Sequence, residues 1–320
     1  MESKILGRTG LRVNPLGIGL SAIGHLGFDT SVNISQLLNS ALDLGINFFD
    51  TAPCYNDSEE MLGDVISHRR SEYILATKAG HDLPRGQGID WTYKVIVESV
   101  DRSLKRMRTD HIDILQLHSC DVSILKRGDV IRAIQDVQKA GKTRWLGYSG
   151  DNKNAEWAIR SNLFDTIQTS FNLVDQKARH FIFPEAHRMN MGIIIKRPMG
   201  NGAWSTGGGY SRKVEPNTEE YFRRADLMRR EGSVAVDQPE NPVLLALGFT
   251  FAHSEIDVAI VGTTNPSHLK SNLEMMEDNI PISSNAVAEL HRRFDSLGSA
   301  WDQRQGAETG VLPFSPGLGS

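Results

Sequence analysis

Four side chains capable of proton transfer lie close to the ends of short apolar segments. Asp50 ends one such segment, and Tyr55 follows it within one short loop. Lys78 and His118 end two later segments. A carboxylate, a phenol, an amine and an imidazole are groups that hold or transfer protons in enzymes. If these segments are neighbouring strands, the spacing predicts a site for acid–base chemistry.

The segments that position these side chains have the pattern of buried parallel strands. They are residues 46–50, 73–78 and 112–118. In a parallel barrel, consecutive strands lie side by side, and their carboxyl ends form the rim where active sites sit. Asp50, Lys78 and His118 would then meet at one rim. The alternative is that they are unrelated strand-end residues in salt bridges and caps, with Tyr55 packed beneath a loop.

The whole chain divides into repeated strand–helix units. The predicted strands are 15–19, 46–50, 73–78, 112–118, 143–149, 166–170, 191–196 and 256–261, after two short strands around a turn at 7–13. The predicted helices are 34–44, 58–67 with Ser58 as N-cap, 92–107, 126–140, 154–161, 184–190, 218–230, 241–253, 265–276 and 284–297. This tally predicts an α/β fold, a (β/α)8 TIM barrel with an N-terminal β-hairpin and extended rim loops. Residues 1–320 form one domain, with the barrel at about 14–278, an irregular loop at about 199–217 and a C-terminal extension at about 280–320.

Composition narrows the class of protein. The chain has 320 residues, a formal net charge of -4 and 39% hydrophobic residues, which suits one large barrel. It has no long basic run, so nucleic acid is not an expected partner. Cys54 and Cys120 are the only cysteines, which excludes a disulfide framework and fits a reducing compartment. Without a signal-like or membrane-spanning segment, a cytoplasmic protein is expected.

Tyr55 is the candidate proton donor. A phenol has a pKa near ~10 and is a poor acid at neutral pH. An adjacent ammonium favours the phenolate, so we expect Lys78 to lower the pKa of Tyr55. Asp50 would hold Lys78 charged, and His118 would hydrogen-bond a carbonyl oxygen or share its proton. This set would protonate a carbonyl oxygen as hydride reaches the carbon.

These motifs resemble the aldo-keto reductase superfamily. The motifs are Asp50-Thr51-Ala52-x-x-Tyr55, Lys78, Leu115-Gln116-Leu117-His118, Gly7-Arg8-Thr9-Gly10-Leu11-x-Val13 and Gly141-Lys142-x-Arg144-x-x-Gly147-x-Ser149. The similarity runs from Gly7 to about Asn272. It implies NAD(P)(H)-dependent oxidoreduction of a small aldehyde or ketone, or of the corresponding alcohol or sugar, without a metal. The catalytic residues implied are Asp50, Tyr55, Lys78 and His118.

The resemblance also implies residues that contact the nicotinamide half of the cofactor. Ser149 and Gln168 match the residues that hold the carboxamide, whereas Gly150 replaces an asparagine common in the family. The other implied positions are Gly19, Lys196, Arg197, Pro198, Met199 and Gly200. Lys196 and Arg197 place two cations near an expected pyrophosphate. The alternative for Lys196 is a pair with a buried carboxylate.

Residues 262–272 resemble the segment that binds the adenosine half. The implied contacts are Gly262, Thr263, Thr264, Asn265, His268 and Asn272, and amides at a helix start suit an anion. Many NADP-specific relatives carry a lysine and an arginine where this chain has Gly262 and His268, and arginine suits a phosphate best. NADP(H) is therefore the expected cofactor, with NAD(H) as the second candidate. An ordinary capped helix is the other explanation for 263–266.

Two other functions stay open. Some relatives of this fold are β-subunits of potassium channels, which predicts a nucleotide-binding regulatory subunit with little turnover. A Schiff-base aldolase using Lys78 needs an uncharged lysine. The substrate pocket would be walled by the rim loops and the C-terminal tail. The aromatic candidates there are Trp91, Trp204, Tyr210, Trp301 and Phe314, each equally explained by packing. The sequence leaves the substrate's identity and the oligomeric state undetermined.

Overall fold

The protein is described by a computed structural model that covers residues 2–24, 34–81, 88–205 and 218–303. Two short antiparallel strands come first, β1 (Lys4–Ile5) and β2 (Arg12–Val13). The next eight are β3 (Leu16–Gly19), β4 (Phe48–Asp50), β5 (Ile74–Ala79), β6 (Ile112–His118), β7 (Thr143–Ser149), β8 (Thr166–Ser170), β9 (Gly192–Lys196) and β10 (Val258–Val261). These eight are parallel and form a closed barrel in chain order, with β10 pairing β3. The predicted TIM barrel is confirmed.

Helices connect the strands and cover the outside of the barrel. They are α1 (Ser21–Gly24), α2 (Ile34–Asp43), α3 (Ser58–Ile66), α4 (Tyr93–Arg106), α5 (Val122–Arg127), α6 (Asp129–Lys139), α7 (Asn152–Ser161), α8 (Ile182–Arg188), α9 (Thr218–Arg229), α10 (Pro242–Phe251), α11 (Pro266–Asn279) and α12 (Ser284–Leu297). Their apolar faces pack on the outward side chains of the strands, forming the larger core. Short 3-10 turns lie at Gly7–Thr9, Ser67–Glu72, Lys177–His180 and Gly200–Gly202.

The N-terminal hairpin closes the amino end of the barrel. Leu6 and Val13 are fully buried and belong to one apolar cluster with inward side chains of the strands, including Phe48 and Ile114. Gly7 has a φ of +44°, and a Cβ there would lie 2.2 Å from the backbone nitrogen of Gly192. Glycine is therefore required where the hairpin touches the barrel.

Alternation along the strands explains how the barrel presents polar groups at one end. On β6, Ile114 lies in the inner cluster while Leu115 packs outward, so Gln116 and His118 also point inward. The same period of two places Phe48 and then Asp50 on the inside of β4. The barrel interior is thus apolar near the hairpin and polar at the carboxyl rim.

The observed elements differ from the predictions in local detail. β4 and β10 begin two residues later than predicted, and β5 extends to Ala79. The single helix predicted over 126–140 is divided into α5 and α6 by Gly128, whose φ of +82° ends the first helix. Ser58 is the first residue of α3 rather than its N-cap, and its hydroxyl lies 2.6 Å from Thr51 Oγ1. Residues 206–217 of the predicted irregular loop lie outside the described residues.

Candidate active site

The four predicted acid–base side chains converge at the carboxyl rim. Asp50 and His118 end β4 and β6, and Lys78 is the penultimate residue of β5. Strand pairing sets Asp50 beside Ala76 and Lys78 beside Gln116, so the strands deliver these side chains to one level. Tyr55 lies in the loop between β4 and α3.

Asp50 and Lys78 form a buried ion pair at the centre of the site. Lys78 Nζ donates to Asp50 Oδ1 at 2.5 Å and to the Thr51 carbonyl oxygen at 2.9 Å. Asp50 Oδ2 accepts from Gln116 Nε2 at 2.9 Å and from Gln168 Nε2 at 2.8 Å. A buried carboxylate is stable when its oxygens are paired in this way. The role of Gln116 was not predicted, although its inward position on β6 follows from strand alternation.

Lys78 is held as an ammonium. Burial alone would lower the pKa of Lys78, but the charge of Asp50, the influence of Tyr55 and the hydrogen bond to Asp50 together raise it above its ordinary value. The Lys78 Nζ atom lies 4.8 Å from the centroid of the Tyr55 ring. A charged, immobile lysine beside the phenol is a poor amine nucleophile.

Lys78 acts on the pKa of Tyr55 in the predicted direction, but the predicted net lowering of that pKa is wrong. Burial raises the pKa of Tyr55 to about 12, because the cost of removing a phenolate from water exceeds the stabilisation by Lys78. The negative charge of Asp50 adds to the rise. Tyr55 is therefore a neutral phenol at pH 7, which is the proton-donating form.

His118 is a neutral imidazole in contact with Tyr55. Their ring centroids are 5.9 Å apart and the ring planes are perpendicular. Burial lowers the pKa of His118 well below its ordinary value, and the positive charges of Lys78, Lys196 and Arg197 contribute to the same direction. A neutral imidazole donates a proton from one ring nitrogen and accepts at the other.

Cys54, in the loop between β4 and α3, is also a neighbour of His118. Its Sγ atom lies 3.5 Å from His118 Nδ1. Burial raises the pKa of the Cys54 thiol to about 11, so the group is a thiol and not a thiolate at pH 7. Low thiolate content makes the half-buried Cys54 poorly reactive.

Trp91 is the one predicted pocket aromatic that lies near these residues among the described ones. Its ring centroid is 4.6 Å from that of His81, which is 5.6 Å from His118. Trp301 instead packs on Phe294, with centroids 5.8 Å apart, and Trp204 lies beneath the guanidinium of Arg229. Tyr210 and Phe314 lie outside the described residues.

Ser149 and Gln168 form the predicted neighbouring pair at the ends of β7 and β8. Ser149 Oγ donates to Gln168 Oε1 at 2.9 Å, and both side chains are buried. The amide of Gln168 is thereby fixed between Ser149 and Asp50. Gly150 is explained by its surroundings, because a Cβ there would lie 2.6 Å from Tyr148 Cε1. The asparagine usual in the family therefore does not fit without displacing the Tyr148 ring.

Lys196 pairs with a buried carboxylate, which was the alternative to a phosphate contact. Its Nζ atom lies 2.9 Å from Asp151 Oδ2. Asp151 also accepts from the Thr169 hydroxyl at 2.9 Å and from the Ser170 backbone N–H at 2.7 Å. Burial opposes ionisation of Asp151, but Lys196, the Ser170 N–H and Arg197 outweigh it and lower its pKa. Asp151 was not predicted because it follows β7, far from Lys196 in sequence.

The segment after β9 is held through its carbonyl oxygens by side chains of the loop after β8 and of α10. The Arg197 carbonyl oxygen accepts from Asn172 Nδ2 at 3.1 Å, and that of Pro198 accepts from Thr250 Oγ1 at 3.5 Å. Gly200 has a φ of +53° beside Asn172. The segment continues through Met199, which packs against the core. The predicted residues 197–200 thus lie at the same rim as Lys196.

The predicted adenosine segment is an exposed helix start next to β10. Asn265 caps α11 by accepting from the Ser267 backbone N–H at 3.0 Å, and its own N–H donates to Thr263 Oγ1 at 3.1 Å. His268 Nδ1 lies 3.4 Å from Thr263 Oγ1. Asn272 is largely buried and Thr264 is half-buried.

Gly262 links this segment to the first barrel strand. A Cβ at Gly262 would lie 3.8 Å from the Gly19 carbonyl oxygen, so the residues after β3 and β10 are neighbours. Gly19 is in register with Asp50. The two predicted halves of the cofactor site therefore share the carboxyl rim.

The part of the chain that the structure describes contains neither a metal-ligating cluster nor a membrane-spanning helix. Over residues 2–24, 34–81, 88–205 and 218–303, no group of three or more metal-ligating side chains is assembled. In the same ranges, no helix has the length and apolar character required to cross a membrane.

Comparisons with known proteins agree with this geometry. L-galactose dehydrogenase from Arabidopsis thaliana is 28% identical over 294 residues, covering 85% of this chain and 87% of the relative. A Schizosaccharomyces pombe protein, provisionally named a potassium channel β-subunit, is 27% identical. The match covers 86% of this chain and 88% of that protein. The holo crystal structure of an aldo-keto reductase from Bacillus halodurans superposes with a TM-score of 0.74 at 26% identity, covering 92% of this chain and 96% of that one.

The match to a family model covers most of the chain. The model described as Aldo/keto reductase family matches residues 15–292, which include the barrel and all the rim residues described above. The chain therefore belongs to the aldo/keto reductase family of NAD(P)-dependent oxidoreductases.

Proposed function

We propose that the protein transfers a hydride between a nicotinamide cofactor and a small aldehyde or ketone, or the corresponding alcohol or sugar. Tyr55 is the general acid and base, assisted by Lys78, Asp50 and His118. The observation that carries this proposal is the neutral phenol of Tyr55, placed between the ammonium of Lys78 and the imidazole of His118. These groups are arranged to add or remove one proton at an oxygen atom.

In the direction of reduction, Tyr55 gives its phenolic proton to the carbonyl oxygen. The bound nicotinamide supplies the hydride that reaches the carbonyl carbon. A developing alkoxide is a stronger base than a phenolate, so the proton moves to it even from a phenol with a pKa of about 12. The phenolate that remains is stabilised by the positive charge of Lys78. In the direction of oxidation, Tyr55 takes the proton back.

His118 orients the carbonyl oxygen. Because its imidazole is neutral, one ring nitrogen carries a proton and can donate it in a hydrogen bond to that oxygen. A protonated histidine beside the ammonium of Lys78 is disfavoured by like charge. His118 therefore polarises the substrate without competing with Tyr55 as the acid.

The residues at the rim fit a nicotinamide dinucleotide. Ser149 and Gln168 offer a hydroxyl and a primary amide side by side, and these match the donor and acceptor atoms of a carboxamide. The start of α11, where Thr263 and Asn265 already accept from the Asn265 and Ser267 amides, offers the positive end of a helix to an anion. Lys196 is less suited to a phosphate because Asp151 already neutralises it.

The cofactor preference follows from the cations near α11. His268 stands where an arginine would favour NADP(H), and Lys270 is exposed and 3.7 Å from Glu274. Exposed ion pairs contribute about 0.2–1 kcal/mol. We predict that NADPH binds more tightly than NADH by less than about tenfold, measured by quenching of tryptophan fluorescence. A preference above about a hundredfold in either direction would contradict this assignment of the phosphate contacts.

Substitution of Tyr55 tests the proposed chemistry. Tyr55→Phe removes the proton donor and should lower kcat by about 10²–10⁴-fold while leaving NADPH binding within about twofold. Tyr93→Phe is the matched control, since Tyr93 lies on α4 with its hydroxyl 3.0 Å from Asp136 and should keep full turnover. Unchanged turnover in Tyr55→Phe would exclude this mechanism.

The substrates assayed should include sugars, and the reaction should be tested in both directions. The relative named L-galactose dehydrogenase supports aldoses as candidates. The potassium channel β-subunit relative supports the second function, a nucleotide-binding regulatory subunit. Cofactor binding with no turnover on a broad carbonyl and alcohol panel would favour the regulatory subunit. The charged state of Lys78 argues against a Schiff-base aldolase.

A further inference from the structure

A second polar pair lies beside the four acid–base residues and has no part in the proton transfer described above. His81 Nδ1 and Asp90 Oδ2 are 2.8 Å apart. The His81 ring makes an edge contact with the His118 ring, with centroids 5.6 Å apart and planes at 77°. His118 therefore has Tyr55 as one ring neighbour and His81 as another. A substrate whose carbonyl oxygen lies at Tyr55 and His118 extends toward these neighbours.

Trp91 connects the backbone on the two sides of the His81–Asp90 pair. The Trp91 N–H donates to the Gly80 carbonyl oxygen at 3.0 Å, which joins the end of β5 to the start of α4. Gly80 has a φ of +127°, and a Cβ there would lie 1.9 Å from Trp91 Cζ3. Trp91 itself has a φ of +62°, which is costly for a bulky residue. Backbone strain of this kind persists where the surrounding structure fixes a side chain in place.

The hydrogen bond to Asp90 determines what His81 offers to a ligand. A carboxylate only accepts hydrogen bonds, so His81 Nδ1 donates to Asp90, and Nε2 is left as the second hydrogen-bonding atom of the ring. Among the residues that the structure describes, no hydrogen bond to His81 Nε2 is present, and the side chain keeps 16% of its surface exposed. His81 thus presents Nε2 at an accessible surface next to the site.

We infer that His81 Nε2, with the ring oriented by Asp90, forms a hydrogen bond with a hydroxyl group of the substrate close to the reacting carbon; a hydroxyl group can either donate or accept in this bond. The substrate class is then a hydroxylated aldehyde, such as an aldose, or the corresponding polyol. The Trp91 ring, 4.6 Å from His81, supplies the apolar surface on which the carbon chain of such a substrate lies. This inference rests on the proposed carbonyl–alcohol oxidoreduction and assigns its substrate class.

A matched pair of substrates separates hydroxyl recognition from catalysis. Glyceraldehyde and propanal have the same carbon chain and differ by two hydroxyl groups. In the wild type, glyceraldehyde or a longer aldose should have the higher kcat/KM. His81→Phe keeps a planar ring against Trp91 but removes the hydrogen-bonding ring nitrogens. It should lower kcat/KM for the hydroxylated aldehyde by about five- to tenfold, mainly through KM, and change that for propanal by less than about twofold.

Two further variants distinguish recognition from a structural role. His81→Gln retains a side-chain amide that can hydrogen-bond a hydroxyl and should recover part of the loss for the hydroxylated aldehyde. Asp90→Asn weakens the bond that orients His81 and should cost less than His81→Phe. Thermal unfolding of each variant measures whether the fold is preserved.

The outcomes that overturn the inference are distinct from failure of the proposed function. If His81→Phe lowers kcat/KM equally for both aldehydes, His81 is structural. If it changes neither, or if the wild type prefers propanal over every aldose tested, hydroxyl recognition at His81 is wrong. If the wild type turns over no carbonyl compound with NADPH or NADH, the proposed function itself fails.

Discussion

At the scale of single residues, the surroundings of His118 decide what each of its ring nitrogens does. Cys54 Sγ is 3.5 Å from Nδ1, and the thiol is protonated at pH 7 because burial raises its pKa to about 11. A protonated thiol is a weak donor and a neutral imidazole nitrogen is a good acceptor. We therefore expect the thiol to donate to Nδ1, which leaves Nε2–H for the carbonyl oxygen of a substrate.

Replacement of Cys54 tests this assignment of the His118 tautomer. Cys54→Ala removes the donor and should lower kcat/KM by about three- to tenfold, the worth of one neutral hydrogen bond. Cys54→Ser keeps a donor and should stay within about twofold of the wild type. The proton position can be read directly from the ¹⁵N shifts of His118.

The control for this prediction is the other cysteine. Cys120 is buried and its Sγ contacts the Asp121 carbonyl oxygen at 3.8 Å instead of a His118 nitrogen, so Cys120→Ser should leave the His118 signals unchanged. If Cys54→Ala matches the wild type in both kcat/KM and the ¹⁵N shifts, the thiol does not hold the tautomer.

At the scale of elements, Gly80 after β5 and Trp91 before α4 meet beside His81. Gly80 has a φ of +127° and lies against the Trp91 ring. The Trp91 N–H to Gly80 carbonyl bond, 3.0 Å long, closes this corner next to the helix start at Thr92, whose hydroxyl caps Val95. A side chain at Gly80 and the Trp91 ring cannot occupy the same space.

Gly80→Ala should therefore displace Trp91 and disturb the site. The added Cβ would come 1.9 Å from Trp91 Cζ3, and alanine also pays for the positive φ. We expect a loss of about 2–4 kcal/mol in the free energy of unfolding, with lower kcat/KM. Chemical denaturation and steady-state kinetics provide the two measurements.

Substitution of a second glycine, Gly45, separates the cost of the positive φ from the cost of the contact with Trp91. Gly45 has a φ of +82° and nothing within 4 Å of a Cβ, so Gly45→Ala should cost only about 1 kcal/mol and leave turnover intact. The double variant with Trp91→Ala should recover stability lost in Gly80→Ala. Equal destabilisation by both glycine substitutions would show that the Trp91 contact is unimportant.

The strands and their terminal residues could be predicted because the signal is local. Each of β6, β7 and β8 was predicted with its observed bounds, since a short apolar or β-branched run between polar segments identifies a buried strand. Parallel pairing then brings Asp50, Lys78 and His118 to one rim without further information. The inward position of Gln116 also follows from the period of two on β6.

The contacts that the sequence did not indicate are those made by side chains from separate loops. Asp151 follows β7 and Lys196 ends β9. Nothing in the sequence around either residue identifies the other as its partner. His81 and Asp90 meet only because the backbone turns at Gly80 and Trp91. The pKa of Tyr55 was misjudged for a related reason, because the degree of burial is a property of the assembled rim.

At the scale of the whole molecule, the carboxyl end of the barrel carries the acid–base residues, and the amino end is the closed end, which the hairpin covers. The hairpin seals the closed end, where Lys4 Nζ donates to the Ile256 carbonyl oxygen at 2.6 Å. Asp257, the next residue, accepts from the Ile193 backbone N–H at 2.9 Å. Burial raises the pKa of Asp257 to about 6, although the Ile193 N–H and the charge of Lys4 act in the opposite direction.

This raised pKa makes Asp257 a source of instability near neutral pH. The folded protein keeps the Asp257 proton between about pH 4 and pH 6 while the unfolded chain, with an ordinary pKa near ~3.9, loses it. The folded state binds more protons in that window, so the contribution of Asp257 to stability falls as pH rises through it. Above about pH 6 the penalty is complete.

Asp257→Asn should remove this pH dependence and stabilise the protein at pH 7 by roughly 1–3 kcal/mol. The asparagine oxygen can still accept from the Ile193 N–H, so the hydrogen bond at the closed end is retained. Urea unfolding at pH 4 and pH 7 measures the effect, and the advantage should largely disappear at pH 4. The control is Asp237→Asn at an exposed position, expected to change neither value. A loss of stability at pH 7 in Asp257→Asn would mean that the ionised carboxylate supports the closed end through Lys4, and that its burial costs less than this pKa implies.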